Sequence, residues 1–155
     1  MCEFFADGTM MHGSGLWDLN PSDTSPAVLA REVDRLRAEE DPATVLREDW
    51  VHCTYFWMVE GDELIGYVAI RHRLSPWLLD EGGHIGYAVR PSRRREGHAT
   101  RALGLALVEA RALGIERALV TCDHDNVASR RTIERNGGVL EDRRGDKLRY
   151  WCAVM

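Results

Sequence analysis

Hydrophobic and polar positions change period several times along the chain, and each change marks an element. Residues 1–24 carry a weak apolar pattern (Phe4, Phe5, Leu16, Trp17) amid Gly, Asp, Ser and Met, which reads as a frayed helix end and a long irregular segment. Ser25-Pro26 supplies a cap residue and an N1 proline, and Val28, Leu29, Val33 and Leu36 recur at helical spacing until Asp41-Pro42. A helix over 26–40 follows. Alternation then sets in over 54–73, breaks at Glu60-Gly61-Asp62-Glu63 and resumes through LIGYVAIRH, the pattern of a β-hairpin. Beyond Pro76 and Gly82-Gly83, HIGYAVR (84–90) reads as another strand, ended by Pro91-Ser92. The period next lengthens to 3.6: Ala99, Ala102, Leu103, Ala106, Leu107, Ala110 and Leu113 share one face of a helix over 99–113, with Gly114 at its C-terminal end. RALVTCD (117–123) is a strand, Asn126 caps a helix over 127–135 closed by Asn136-Gly137-Gly138, and VLEDRR and KLRYWCAV form a last hairpin about Gly145-Asp146.

This order predicts an α/β domain with a mixed sheet and helices on both faces. Strand 84–90, helix 99–113 and strand 117–123 have the length of a β-α-β crossover between parallel strands. A chain of 155 residues leaves room for one domain. At 45% hydrophobic and 29% charged residues it has the composition of a globular protein. Its net charge of -5 argues against a nucleic-acid partner. Apolar stretches interrupted by Arg and Asp argue against a membrane span. The four cysteines (Cys2, Cys53, Cys122, Cys152) show neither a CxxC pair nor zinc-ligand spacing. They read as reduced thiols of a cytoplasmic protein without a metal site.

Chemistry concentrates in RPSRRREGHAT, between strand 84–90 and the long helix. A glycine-containing turn that runs into a helix N-terminus presents unpaired amides and the positive end of the helix dipole together, and Arg93, Arg94 and Arg95 add charge. That combination suits a phosphate. The spacing Arg94-x-x-Gly97-x-Ala99 is neither a Walker loop nor GxGxxG, so a diphosphate other than a nucleoside triphosphate or dinucleotide is the better match.

Val89-Arg90-Pro91, Arg94-x-x-Gly97-x-Ala99, a long helix, strand 117–123, Asn126-x-x-Ser129 and Asn136-Gly137-Gly138 occur in that order. The series resembles the GNAT superfamily of acetyl-CoA-dependent N-acetyltransferases, and the longer stretches resemble a bacterial subgroup of it. The resemblance implies a GNAT-like fold with acetyl-CoA as cosubstrate. It places the pyrophosphate on the amides of Arg95, Glu96, Gly97, His98, Ala99 and Thr100 beside Arg94. The pantetheine arm falls along Tyr87, Ala88 and Val89, with Asn126 and Ser129 near the arm and the thioester. It implies direct attack by an amine of a small molecule, or alternatively of a protein or peptide, in a ternary complex; a non-catalytic acyl-CoA sensor is the other reading. Two positions depart from the family pattern. Where many members have a tyrosine that protonates the leaving thiolate, seven residues after the Asn, this chain has Ile133, which leaves Ser129 or His124 to assist. The strand that normally precedes the first hairpin is not apparent, and an open sheet edge invites pairing in a homodimer.

For the general base, His84 is the first candidate, with an ordinary imidazole pKa of about 6.5 at the start of the strand bordering the thioester. His72, Glu60, Asp123 and His124 are rivals, each equally explained as a turn, edge or capping residue. Cys122 reads as a buried strand thiol rather than a nucleophile. Trp50, Trp57, Trp77 and Trp151 read as core or rim packing, with the lining of an acceptor pocket as the alternative. Arg130, Arg131, Arg135, Arg143 and Arg144 read as a solvated face, with the 3′-phosphate of the coenzyme or an acidic partner as the alternatives.

Overall fold

The computed structural model describes residues 3–4 and 11–155. Its elements are α1 (Pro26–Glu40), β1 (Cys53–Glu60), β2 (Glu63–Arg71), a π-helical turn (Leu78–Gly82), β3 (Ile85–Val89), a 3₁₀ turn (Pro91–Arg93), α2 (His98–Ala112), β4 (Arg117–Asp123), α3 (Val127–Arg135), β5 (Val139–Arg144) and β6 (Lys147–Ala153). Pro26 starts α1 by its fixed φ alone, because Ser25 makes no side-chain capping bond. Asn126 does cap α3, its side chain accepting from Ser129 N–H at 3.0 Å.

The strands form two three-stranded sheets, β1-β2-β3 and β4-β6-β5, and every ladder within them is antiparallel. The α/β architecture is therefore as the pattern predicts, while the expected parallel pair is not a ladder. β3 and β4 meet at His84, whose N–H donates to Leu119 O at 2.7 Å while its Nδ1 accepts from Leu119 N–H at 2.9 Å. Beyond this clip the facing edge of β3 opens onto a cleft.

Helix α2 lays Ala102, Leu103, Ala106, Leu107 and Ala110 against Val68, Ile70, Ile85, Val120 and Ile133, all buried. Each large aliphatic side chain removed from water here contributes about 2 kcal/mol. A second cluster lies under α1, where Phe4, Leu16, Leu19 and Leu36 surround Tyr67, and the Phe4 and Tyr67 rings are 5.1 Å apart. The segment expected to be irregular lacks helix or strand over 11–24, yet it is packed, with Ser14, Leu16 and Leu19 buried. Gly13 (φ 79°) rests on the backbone of β3 so closely that a Cβ there would stand 2.4 Å from Gly86 O. The frayed helix end expected near the N-terminus lies largely outside the described residues. Among those described no strand lies outside β1, whose Phe56 and Trp57 are partly exposed.

Candidate active site

The cleft between β3 and β4, about 1420 Å³ in volume, runs from the 3₁₀ turn and the N-terminus of α2 past β3 to the start of α3. Ladder geometry sets which backbone groups face it. Arg71 N–H donates to His84 O (2.8 Å) and Arg90 N–H to Ile65 O (2.9 Å), so the even-numbered residues of β3 bond to β2. By alternation the N–H and C=O groups of Ile85, Tyr87 and Val89 point the other way, toward the cleft. Ala88 is thus turned to β2. The Val89 carbonyl accepts from Arg94 Nε at 3.2 Å, which ties the loop arginine to the strand end.

The loop that follows is built to expose amides. Arg95 (φ 67°) and Gly97 (φ 86°) both take left-handed backbone conformations, curling the chain into α2. The first intrahelical bond is from Arg101 N–H to Gly97 O (3.1 Å), so the N–H groups of His98, Ala99 and Thr100 have no partner within the helix, and Gly97 at the cap position offers no side chain to them. Space beside Gly97 is open, with nothing within 4 Å of where a Cβ would stand. Asn136 braces this turn from the end of α3, its Nδ2 donating to Thr100 O (3.1 Å) and Thr132 O (2.9 Å). Arg93 is engaged by the first hairpin: it pairs with Glu60 (2.6 Å) and Glu63, and with Glu96 at 2.9 Å. Charge for an anion therefore falls to other cleft residues, among them Arg95, Arg131 and Arg135.

Of the residues singled out from sequence for the coenzyme, the structure brings Tyr87, Ala88, Val89, Arg94, Arg95, Gly97, His98, Ala99, Thr100, Asn126 and Ser129 to this cleft. Glu96 is turned away, its carboxylate on Arg93 and His98.

The proposed catalytic side chains divide. Ser129 lies in the cleft with its Oγ 2.8 Å from the Tyr87 hydroxyl. Burial is the main cause raising the Tyr87 phenol to about 12, so it stays protonated at neutral pH. His124 lies on the surface near Asp146, at 3.7 Å, and is not a cleft residue. His84 is buried in the clip. Its Nδ1 accepts from Leu119 N–H, so the neutral ring carries its hydrogen on Nε2 and keeps no lone pair for a substrate proton. Burial first, and then Arg71, lower its pKa to about 4. His84 thus has the geometry of a structural clip instead of the expected general base.

Among the rivals, His72 is bonded to Thr54 (2.9 Å), Glu60 is held by Arg93, and Asp123 pairs with Lys147 (2.5 Å). Burial pushes the Cys122 thiol up to about 11, which leaves it unreactive. Ile133, where the family pattern calls for tyrosine, is fully buried in the core.

Sequence reasoning missed His12 and the Tyr87 hydroxyl. His12 lies at the cleft beside the Gly13–Gly86 contact. Desolvation by its surroundings, then the charge of Lys147, hold its pKa below the ordinary value, so it is a neutral base at pH 7. The 11–24 segment has no periodic pattern, so nothing in the sequence marks it. Tyr87 was assigned through its backbone, and its side chain gains meaning only when α3 places Ser129 opposite.

An open strand edge thus leads from helix amides without a partner inside the helix to a protonated phenol and a neutral imidazole. The sequence model of the acetyltransferase (GNAT) family matches residues 22–138, and the chain belongs to that family. It is accordingly an acetyl-CoA-dependent acetyltransferase. No curated protein sequence matches the chain. Similar solved structures include a GnaT-family acetyltransferase of Bordetella pertussis (TM-score 0.60, 19% identity, covering 88% of this chain and 79% of that one). The microcin C7 self-immunity acetyltransferase MccE, in complex with acetyl-CoA and AMP, aligns at TM-score 0.58 and 18% identity over 89% of this chain and 74% of that one. Campylobacter jejuni N-acetyltransferase PseH, in complex with acetyl coenzyme A, aligns at 0.57 and 12% over 85% and 84%. At these identities the likeness speaks to the fold. Among the described residues no helix is long and apolar enough to cross a membrane.

Proposed function

We propose that the chain is a single catalytic domain that transfers the acetyl group of acetyl-CoA to a primary amine of a small molecule, by direct attack within a ternary complex. The observation that carries this reading is the Tyr87–Ser129 pair, set on the outward-facing strand edge that continues into the α2 amides. Acetyl-CoA supplies the electrophilic thioester carbonyl and the thiolate leaving group. The amides of the 95–100 turn hold its pyrophosphate, and Arg131 and Arg135 face its remaining phosphate. The backbone groups of Tyr87 and Val89 take its pantetheine amides as an added strand would.

An alkylammonium with a pKa of about 10 must lose a proton before it attacks, and His12, a neutral imidazole lining the same cleft, takes it in this reading. The outward N–H of Tyr87 or Val89 donates to the carbonyl oxygen as negative charge gathers there. As the C–S bond breaks, the Tyr87 hydroxyl gives its proton to the sulfur, and Ser129 Oγ orients that hydroxyl. Tyr87 thereby does from β3 what Ile133 cannot do from α3. Free, buried Cys53, Cys122 and Cys152 support a reducing, cytoplasmic setting, and the outer edge of β1 is where a second copy would pair.

Calorimetric titration with acetyl-CoA tests this first. One site per chain with micromolar affinity, followed by release of free thiol that depends on added amine, is the expected result. Absence of binding overturns it, and binding without amine-dependent thiol release turns the site into a sensor.

A further inference from the structure

A second cavity of about 560 Å³ adjoins the cleft and is not used by the coenzyme reading above. The two share Trp17, Arg71 and Trp77 as a common wall, so an occupant of the second cavity reaches the cleft beside Gly86 and Tyr87. A volume of this size fits a small molecule.

Its surface is aromatic and apolar. Trp77 is 63% exposed and Trp17 49% exposed, and two indoles left in water at one rim mark a binding surface. Trp50 faces the same space, its ring held by the Arg47 guanidinium 4.9 Å above it, and Arg47 is in turn fixed by Asp18 at 2.6 Å. Below them lie buried Val51, Cys53 and Leu78. The polar groups within are already engaged. The Tyr55 hydroxyl donates to Glu39 (2.9 Å), and Arg71 Nη1 donates to Gly82 O (2.9 Å) and Gly83 O (3.1 Å). What remains for an occupant is flat apolar contact, with the carboxylates of Glu48 and Asp49 toward the solvent side.

We propose that this cavity seats the acceptor, and that the acceptor is an arylalkylamine, a primary amine carried on an aromatic ring system. The ring lies among the three indoles, and the amine projects past the shared wall toward His12. Glu48 and Asp49 draw the ammonium form in from solution. Arg71 at the wall disfavours a second positive charge, so the amine releases its proton where attack must occur. This inference rests on reading the adjoining cleft as the acetyl-CoA site.

The test measures thiol release at saturating acetyl-CoA with 2-phenylethylamine and tryptamine, against n-hexylamine and a peptide with N-terminal alanine. The aryl amines are expected to show kcat/KM at least about tenfold higher, the worth of one aromatic stacking contact. Trp50 lines the second cavity and not the cleft. Trp50→Ala is expected to raise KM for tryptamine about tenfold, Trp50→Phe to restore most of the loss, and neither to change kcat or the Kd for acetyl-CoA. Quenching of tryptophan fluorescence by 2-phenylethylamine without acetyl-CoA gives a measure that needs no variant. Hexylamine or the peptide reacting as well as the aryl amines, or an unmoved KM in folded Trp50→Ala, overturns the assignment. Quenching without any acetyl-CoA binding would instead retire the transferase reading and leave the aromatic-amine site standing.

Discussion

His84 gives the fold a dependence on acid whose size can be worked out. The clip needs a neutral imidazole, because Nδ1 must accept from Leu119 N–H. Burial first, and then Arg71, hold the folded pKa at about 4, against 6.5 for the free side chain. Above pH 6.5 both states are neutral and the contribution to stability is complete. As the pH falls below 6.5 the unfolded chain gains a proton that the folded chain refuses, so stability drops until the folded pKa is passed. Linkage gives a loss of about 2 kcal/mol by pH 5 and about 3 kcal/mol below pH 4 from this one ring. His84→Asn keeps an acceptor for Leu119 N–H and removes the titration. Urea unfolding at pH 7.5 and pH 5.0, followed by far-UV circular dichroism, should show the wild type losing about 2 kcal/mol more than the variant between the two conditions. Equal losses in both proteins would refute the buried, neutral clip.

Three further perturbations probe the site. Tyr87→Phe should lower kcat on the order of 10- to 100-fold while calorimetry finds the acetyl-CoA Kd little changed, because the hydroxyl acts on the leaving sulfur; an unaltered kcat removes Tyr87 from the reaction. His12→Gln should abolish the acidic limb of the kcat/KM profile, which in the wild type falls as pH drops through a pKa lowered from 6.5, so a profile of unchanged shape would assign the base elsewhere. Gly97→Trp should eliminate coenzyme binding, since the indole enters the open space before the α2 amides from a left-handed backbone position; full affinity in calorimetry would remove the pyrophosphate from this loop.

Elements whose side chains repeat against one partner surface were legible in the sequence. The five buried Ala and Leu positions of α2 fall on the predicted face because one packed stripe dictates a 3.6-residue period. Helices 26–40 and 127–135 and strand 117–123 keep their predicted bounds, fixed by Pro26, Asn126 and the neighbouring glycines. The glycine turn running into α2, proposed to hold the coenzyme, was equally readable, since its exposed amides follow from chain order alone. His84 was misread as a base because its role depends on Leu119, 35 residues away, and strand periodicity says nothing of which strand a ring will clip. Of the four tryptophans weighed between packing and a pocket lining, Trp50 and Trp77 meet Trp17 across a cavity, whereas Trp57 and Trp151 do not line it. His12 lies in a segment held by buried Leu16 and Leu19 and by a backbone contact of Gly13 with Gly86, none of which forms a periodic pattern.

That contact between Gly13 and Gly86 has a bearing on how this enzyme can be altered. It fixes the path of a chain segment carrying both His12 and Trp17, on which the proposed proton transfer and the acceptor cavity depend, yet it contributes nothing to the amides of α2. A side chain at Gly13 would lift the segment off β3 and shift His12 and Trp17 together. In the proposed reading, acceptor preference and donor binding are therefore set by separate parts of the chain. The residues near position 13 give an adjustable handle for redirecting the enzyme to new amines, and the 94–100 loop is the fixture to leave alone.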